Sequence, residues 1–157
     1  MTEHVTGLEY AEVFADIYNN AIELFEEDAR GSATADIFIP QLENDVNFIE
    51  IQESGDIAAF LSYHQYGNYY ELTSLYVKRE YQRKGIGQKM LSRMEQNLHN
   101  DEIIFVKVLR NAPWSLSFYQ SNGYMPLDPQ LKECAAALNI TEKSWSIVLY
   151  KRVTARK

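Results

Sequence analysis

The sequence contains a single cysteine, Cys134, among 157 residues, so no internal disulfide can form. A chain without disulfides suits the reducing cytoplasm, where we expect this protein. No apolar run reaches the roughly 18 residues that a membrane-spanning helix needs. The opening MTEHVTGLEY also lacks the basic and apolar regions of a signal peptide. We therefore expect no membrane partner.

Basic residues are nearly absent from the first half of the chain. Residues 1–77 contain 15 acidic residues and one basic residue, Arg30, for a formal charge of −14. Residues 78–157 contain 14 basic and 7 acidic residues, for a charge of +7, and the two halves give the net −7. The negative total argues against a nucleic-acid partner. The contrast fits an acidic half that attracts a cation and a basic half that attracts an anion, or simply two solvated surfaces that differ.

Hydrophobic periodicity predicts an alternation of helices and strands. The predicted helices span about 10–25, 85–98, 112–121 and 128–138, and the predicted strands span 46–52, 57–65, 69–77, 103–109, 124–127 and 145–152. Thr6 to Glu9 fits a capping box, and Arg30-Gly31 can end the first helix. Residues 32–45 are ambiguous, because Ser32 or Thr34 could cap a second helix that Pro40 would interrupt.

This element order predicts one three-layer α/β domain over residues 1–157, with a mixed central sheet and helices on both faces. The strands at 46–52, 57–65 and 69–77 are separated by turns and predict an antiparallel meander. The strand at 103–109 should lie parallel to the strand at 69–77, because a helical crossover connects them.

The stretch KREYQRKGIGQKML, residues 78–91, places Gly85 and Gly87 at a junction between a strand and a helix. Glycine lowers helix stability by roughly 1 kcal/mol relative to alanine. A helix N-terminus carries unpaired N–H groups and a partial positive charge, so it binds anions, and glycine lets a ligand approach the backbone. Neighbouring arginine and lysine side chains would add donors. The junction therefore predicts a phosphate or pyrophosphate site, although two glycines could also merely shape a turn.

Two motifs resemble those of the GCN5-related N-acetyltransferase (GNAT) superfamily. Gln82-Arg83-Lys84-Gly85-Ile86-Gly87 matches Gln/Arg-x-x-Gly-x-Gly/Ala, the acetyl-CoA pyrophosphate motif of that family. Further on, the run from Ser115 to Tyr119 and the pair Gly123-Tyr124 resemble its second motif. The resemblance covers about residues 46–127 well.

The resemblance implies a sheet that is splayed between the fourth and fifth strands of the family fold, with the acyl-pantetheine of acetyl-CoA in the gap. Backbone groups of Leu75, Tyr76 and Val77 would pair with the pantetheine. Backbone N–H groups would hold the pyrophosphate, with Arg83 and Lys84 adding charge, along the run Gln82, Arg83, Lys84, Gly85, Ile86, Gly87 and Gln88. Asn111 and Ser115 are further coenzyme A candidates; in many relatives an asparagine precedes the tyrosine by seven positions, whereas Asn111 precedes it by eight.

Acyl transfer to an amine needs a base, an oxyanion donor and an acid for the leaving thiolate. Glu71, four positions before Leu75, matches the place of a catalytic glutamate in some family members and is the candidate base; it could instead be a surface carboxylate. Tyr119 matches the family tyrosine near the sulfur of coenzyme A and is the candidate acid; it could instead be a packing residue. The backbone N–H of Tyr76 would meet the oxyanion.

The resemblance implies direct transfer of an acetyl group from acetyl-CoA to a primary amine in a ternary complex. In the family the first two helices usually shape the acceptor pocket, and the acidic residues in that region favour a basic amine. These residues are Glu23, Glu26, Glu27, Asp28, Asp36, Glu43 and Asp45.

Two other functions remain open at this level. A non-catalytic acyl-CoA-binding regulatory module could have the same fold, although Glu71 and Tyr119 favour an enzyme. A small nucleic-acid-binding protein could use the basic junction, but the net charge disfavours it. Residues 128–144 form a longer connection than is usual, and either a cap on the acceptor pocket or a homodimer contact would account for it. No His, Cys or Asp pair has the spacing of metal ligands.

Overall fold

The computed structural model describes residues 1–22 and 33–154. The strands are β1 (Thr2–Val5), β2 (Val46–Ile51), β3 (Ile57–Tyr66), β4 (Tyr69–Val77), β5 (Ile103–Leu109), β6 (Met125–Pro126) and β7 (Ser146–Arg152). The helices are α1 (Tyr10–Ile22), α2 (Ile39–Asn44), α3 (Ile86–Glu95), α4 (Pro113–Ser121) and α5 (Pro129–Ala137). None of these described helices has the length and hydropathy to cross a membrane.

The strands form one mixed sheet in the order β1-β2-β3-β4-β5-β7-β6. β5 lies parallel to β4, as the helical crossover predicts, whereas β1 with β2, β2 with β3, β5 with β7 and β6 with β7 are antiparallel. The predicted α/β class with a mixed sheet is therefore confirmed. β1 was not predicted, because its residues Thr2, Glu3 and His4 are polar and it pairs only at the edge of the sheet.

The paired segment between β4 and β5 is short. Four consecutive pairs run from Tyr69 with Ile103 to Leu72 with Val106. β4 continues to Val77 and β5 to Leu109 beyond the last pair. This early end of the pairing is what the predicted splay between these two strands requires.

The described residues fall into two compact units. The first contains residues 1–64 and 74–95, and the second contains 65–73 and 96–157. The division falls inside β4, between Thr73 and Ser74. The prediction of a single domain over residues 1–157 stays a prediction.

In the first unit, helices pack on both faces of the strands. Ile49 of β2 and Phe60 of β3 join the core that α1 and α2 cover, where Phe14 stacks on Phe60 with ring centroids 4.1 Å apart. Successive side chains of a strand point to opposite faces. Accordingly Phe48 lies on the other face, where the guanidinium of Arg93 on α3 sits 5.1 Å from its ring centroid. The alternation along β2 thus separates two layers of helices.

In the second unit, α5 packs on β5 and β7. Leu131 and Ala135 of α5 form a core with Phe105 of β5 and Val148 of β7. Asp128 caps the helix, because its carboxylate accepts a hydrogen bond of 2.8 Å from the N–H of Leu131. The cap begins the helix that the sequence predicts over 128–138. At least part of the 128–144 segment therefore covers the sheet.

Two details near the N-terminus differ from expectation. The predicted capping box at Thr6 is wrong, since α1 begins at Tyr10 and its first turn is closed by Tyr10 N–H to Gly7 O at 3.2 Å. Pro40 does not interrupt a helix. It stands in the first turn of α2, where a missing N–H costs nothing, after a short 3-10 turn at Ala35–Phe38. The predicted end of α1 at Arg30-Gly31 lies outside the described residues.

Candidate active site

We name residues 78–88, the connection from β4 to α3 together with the first turn of that helix, the anion-binding loop after the role that the sequence predicts for them. α3 begins at Ile86, and the N–H of Lys89 donates to Gly85 O at 3.0 Å. The N–H groups of Ile86, Gly87 and Gln88 precede that first helical hydrogen bond, so no carbonyl of the helix is available to accept from them. They form the positive end of the helix dipole. The backbone can therefore offer several donors to one anion.

The two glycines of the loop serve different purposes. Gly85 has a left-handed backbone with φ of +79°, and a Cβ there would meet no heavy atom within 4 Å. Its conformation, rather than crowding within the protein, is what favours glycine. Gly87 is the second residue of α3 and has no left-handed backbone. A glycine inside a helix lowers helix stability by about 1 kcal/mol relative to alanine, so helix propensity does not favour Gly87. The sequence predicts that its bare backbone lets a ligand approach.

Arg83 also has a left-handed backbone, with φ of +62°. This conformation costs an L-residue with a side chain roughly 1–2 kcal/mol. Such strain is concentrated at functional sites, where the surrounding structure holds it. Gln82 contributes to that support, because its side-chain amide donates to the carbonyl of Val77 at 2.9 Å. Sequence reasoning assigned only a backbone role to Gln82 and missed this bond to the end of β4.

The cations around the loop divide into two groups. Lys78 pairs with Asp56 at 3.2 Å, and Lys89 pairs with Glu50 at 2.7 Å. Within the described residues, no carboxylate pairs with Arg83 or Lys84; Lys84 lies over the ring of Tyr81, 5.7 Å from its centroid. Arg83 and Lys84 are also the two cations that the resemblance implies for the pyrophosphate, and that role stays a prediction.

The carboxylates of the paired group have lowered pKa values. Burial raises the pKa of Glu50, but hydrogen bonds from Lys89, Thr2 and the ammonium group of Met1 outweigh it and hold that pKa below its ordinary value. Hydrogen bonds from Tyr81 and Lys78 lower the pKa of Asp56. Both groups are therefore anionic at neutral pH and neutralise their lysines.

The strand that leads into the loop packs its aromatic side chain into the core of the first unit. The ring of Tyr76 meets Tyr18 at 4.8 Å and Phe60 at 5.6 Å, in the core of the first unit. Leu75, Tyr76 and Val77 are all half-buried. Because the side chain of Tyr76 is used for packing, the role predicted for this residue rests on its backbone.

Glu71, the candidate base, lies in the second unit on β4, opposite Phe105 of β5. Its side chain is 15% exposed, which is the partial burial that its apolar-bodied neighbours predict. The hydroxyl of Tyr66 donates to one oxygen at 3.5 Å, and the ammonium of Lys107 is 3.9 Å from the other. The carboxylate of Glu71 therefore has a hydroxyl donor and a cation beside it.

Tyr119, the candidate acid, is a buried residue of α4. Its ring meets Phe118 at 5.1 Å and Tyr124 at 5.5 Å, both edge to face. The N–H of Tyr124 donates to its carbonyl at 3.0 Å, which closes the turn after the helix at Gly123, where φ is +93°. The resemblance placed Tyr119 and Gly123-Tyr124 in one motif, and the structure brings them together.

The two weaker coenzyme A candidates stand at the start of α4. Asn111 is exposed in the turn before the helix, and Ser115 is half-buried in its first turn. Ala112 occupies the N-cap, where its side chain makes no capping hydrogen bond to the first turn of α4. Asn111 precedes Tyr119 by eight positions instead of seven, and it lies before the start of α4.

The structure describes three of the seven acidic residues that the sequence assigns to the acceptor region. Asp36 and Glu43 are exposed. Asp45 is 7% exposed and bonds to His64 at 2.8 Å, so its charge is committed inside the protein. Glu23, Glu26, Glu27 and Asp28 lie outside the described residues.

Comparison with known proteins identifies the family. The model of the acetyltransferase (GNAT) family matches residues 10–124. The chain therefore belongs to the GNAT acetyltransferase family, whose members use acetyl-CoA as co-substrate. A search of curated proteins found no match.

Solved structures share the fold. The PaiA N-acetyltransferase of Thermoplasma acidophilum, in complex with coenzyme A, is 15% identical with a TM-score of 0.71, over 97% of this chain and 99% of that one. Tetrahymena GCN5 is 9% identical with a TM-score of 0.73, over 100% and 98%. The ribosomal-protein-S18-alanine N-acetyltransferase of Escherichia coli is 15% identical with a TM-score of 0.66, over 100% and 97%. At these identities the likeness shows the fold alone.

Proposed function

We propose that this protein transfers an acetyl group from acetyl-CoA to a primary amine by direct attack in a ternary complex. The observation that carries the proposal is the anion-binding loop. It contains the N-terminus of α3, the left-handed Gly85, and the charges of Arg83 and Lys84, which pair with no carboxylate in the part of the chain that the structure describes. A diphosphate needs both backbone donors and cations, and the loop offers both. Family membership supports the same co-substrate.

The second unit would supply the two side chains for proton transfer, and the first unit would supply the oxyanion donor. Glu71 would take the proton of the amine, directly or through a water molecule, and Tyr119 would protonate the leaving thiolate. The backbone N–H of Tyr76 would stabilise the negative charge that develops on the thioester oxygen. An unperturbed tyrosine is protonated at neutral pH and can donate.

For the acceptor we propose a basic amine, such as a polyamine, an aminoglycoside or a lysine side chain. The support is the charge of −14 over residues 1–77, which includes the exposed Asp36 and Glu43. A cation would be drawn to such a surface. A screen that follows release of the thiol of coenzyme A, with cationic amines set against neutral ones, tests this class.

Calorimetric titration with acetyl-CoA tests the first step. We expect wild type to bind and Gly85→Asp to lose at least about tenfold in affinity, because a carboxylate beside the helix N-terminus repels the diphosphate. Gly67→Asp is the matched control, since Gly67 also has a left-handed backbone (φ +64°) and open space at its Cβ. Equal losses in both variants would mean that the loop is not the binding site.

The same titration separates the alternative. Binding of acetyl-CoA without turnover of any amine in the screen would favour a regulatory acyl-CoA-binding module. No binding by folded wild type would remove the acetyltransferase proposal itself.

A further inference from the structure

Residues at the start of the anion-binding loop are held by a carboxylate from a distant part of the chain. Asp56 uses both of its oxygens. One oxygen accepts a hydrogen bond of 2.7 Å from the hydroxyl of Tyr81, and the other is 3.2 Å from the ammonium of Lys78. Lys78 precedes the 3-10 turn Arg79–Tyr81, and Tyr81 ends it. This turn leads to Arg83 and Gly85. One carboxylate thus joins both ends of that turn.

The turn that carries Asp56 is itself well defined. It connects β2 to β3 and is closed by two hydrogen bonds, from Gly55 N–H to Gln52 O at 2.9 Å and from Gln52 N–H to Asp56 O at 2.8 Å. Gly55 supplies the left-handed backbone that the turn needs, with φ of +90°. Asp56 therefore approaches the loop from a fixed position, as an anchor rather than as a part of the loop.

The contact extends to one of the two cations that face the ligand. The ring of Tyr81, whose hydroxyl bonds to Asp56, lies under the ammonium of Lys84 at 5.7 Å. A cation over an aromatic face is attracted by the ring quadrupole. The hydrogen bond to Asp56 raises the pKa of Tyr81, so the hydroxyl remains a donor. The chain of contacts runs from Asp56 through Tyr81 to Lys84.

We propose that Asp56 is a positioning residue for the anion-binding loop, which it holds through Tyr81 and Lys78. This inference rests on the proposed function, because it assumes that the loop binds the diphosphate of acetyl-CoA. Asp56 would touch neither the co-substrate nor the reacting atoms. Its side chain is 41% exposed and that of Lys78 is 21% exposed, so the expected effect is moderate.

The two possible roles of Asp56 predict opposite changes in the affinity for acetyl-CoA when its charge is removed. A carboxylate near a polyanion repels it, so removal of the charge at Asp56 should strengthen binding if Asp56 were only a neighbour. If Asp56 positions the loop, Asp56→Asn weakens binding although it removes a negative charge. We expect the Kd for acetyl-CoA to rise about three- to tenfold.

The control and the coupled variant sharpen this result. Glu53→Gln removes an exposed charge from the same turn, and we expect it to leave affinity unchanged or slightly improved. Tyr81→Phe keeps the ring under Lys84 and removes only the hydroxyl, so it should weaken binding in the same direction. The double variant Asp56→Asn with Tyr81→Phe should lose less than the product of the two single losses, since the two side chains share one hydrogen bond.

Turnover gives a readout that general damage to the fold would not reproduce. We expect Asp56→Asn to raise the KM for acetyl-CoA and to leave kcat within about twofold. Wild-type binding with equal or tighter binding by Asp56→Asn and Tyr81→Phe would overturn the inference and leave the proposed function intact. Failure of wild type to bind would instead remove the proposed function. If Asp56→Asn does not fold, Tyr81→Phe decides alone.

Discussion

The anion-binding loop of the first unit and the Glu71–Tyr119 region of the second unit differ in what they offer a substrate. The loop offers backbone N–H groups and the cations of Arg83 and Lys84, with which no carboxylate of the described residues pairs. Carboxylates instead hold Tyr81, Lys78 and the neighbouring Lys89. The second region offers two ionisable side chains on a strand and a helix, both largely buried. Backbone donors and cations suit binding, whereas buried acids and bases suit proton transfer.

The boundary between these regions falls inside β4. Residues up to Thr73, including Glu71, belong to the second unit, and residues from Ser74, including Leu75 to Val77, belong to the first. If the loop serves binding and the Glu71–Tyr119 region serves proton transfer, substitutions in the first unit change the Kd and KM for acetyl-CoA. Substitutions in the second unit then change kcat. Three variants test that separation.

The largest effect on kcat should come from Glu71→Gln. The amide has nearly the same shape but cannot accept the proton of the amine, so we expect kcat to fall about 10²-fold while the KM for acetyl-CoA changes little. Steady-state kinetics at saturating amine, with the release of thiol as the signal, measures both parameters.

Glu133→Gln is the control for Glu71→Gln, because Glu133 is an exposed carboxylate of α5 in the same unit. It removes the same charge and should leave kcat unchanged. A kcat for Glu71→Gln within twofold of wild type would make Glu71 a structural carboxylate and break the comparison.

Tyr119→Phe should have a smaller effect. The substitution keeps the ring that packs on Phe118 and Tyr124 and removes only the hydroxyl. Because a thiolate is a fair leaving group without a proton, we expect kcat to fall about tenfold rather than a hundredfold. Stopped assays of kcat and KM for both substrates measure the effect.

Tyr150→Phe, at a half-buried tyrosine of the second unit, is the control for Tyr119→Phe and should retain full activity. Wild-type kcat in Tyr119→Phe would leave Tyr119 as a packing residue, which the sequence allowed as its alternative role.

Most of the fold could be predicted from the sequence, because its signals are local. The strand at 69–77 and the strand at 103–109 were predicted with the bounds that the structure has, since alternation and dense apolar runs are read within one segment. The parallel pairing of these strands followed from the helix between them. β1 escaped prediction because its polar residues form a strand only through pairing with β2.

The candidate site was less predictable where contacts join distant residues. The glycines and cations of the loop are one contiguous motif, and sequence reasoning found them. The partners that neutralise Lys78 and Lys89 lie 22 and 39 positions away, and nothing local to Asp56 or Glu50 indicates those pairs. The structure was therefore needed to show which lysines near the loop are already neutralised by carboxylates.

The smallest effect on catalysis should come from Glu50→Gln, which affects stability instead. Glu50 is 3% exposed and accepts from Lys89 on α3, from Thr2 and from the ammonium of Met1. An amide accepts through one oxygen only and turns its own N–H groups toward these donors at a buried position, so we expect a loss of about 1–3 kcal/mol in the free energy of unfolding at pH 7. Urea denaturation measures this loss, and kcat should stay within about twofold of wild type.

The pH dependence of this loss identifies its cause. The pKa of Glu50 is lower in the folded protein than its ordinary 4.5, so its stabilisation is complete above that value and is lost as the pH falls through the folded pKa. The gap between wild type and Glu50→Gln should therefore narrow below about pH 4.5. Glu3→Gln, at an exposed position of β1, should show almost no gap at either pH. A gap that persists unchanged in acid would show that Glu50 acts through packing, whereas a large loss of kcat would mean that carboxylates of the first unit also serve the chemistry.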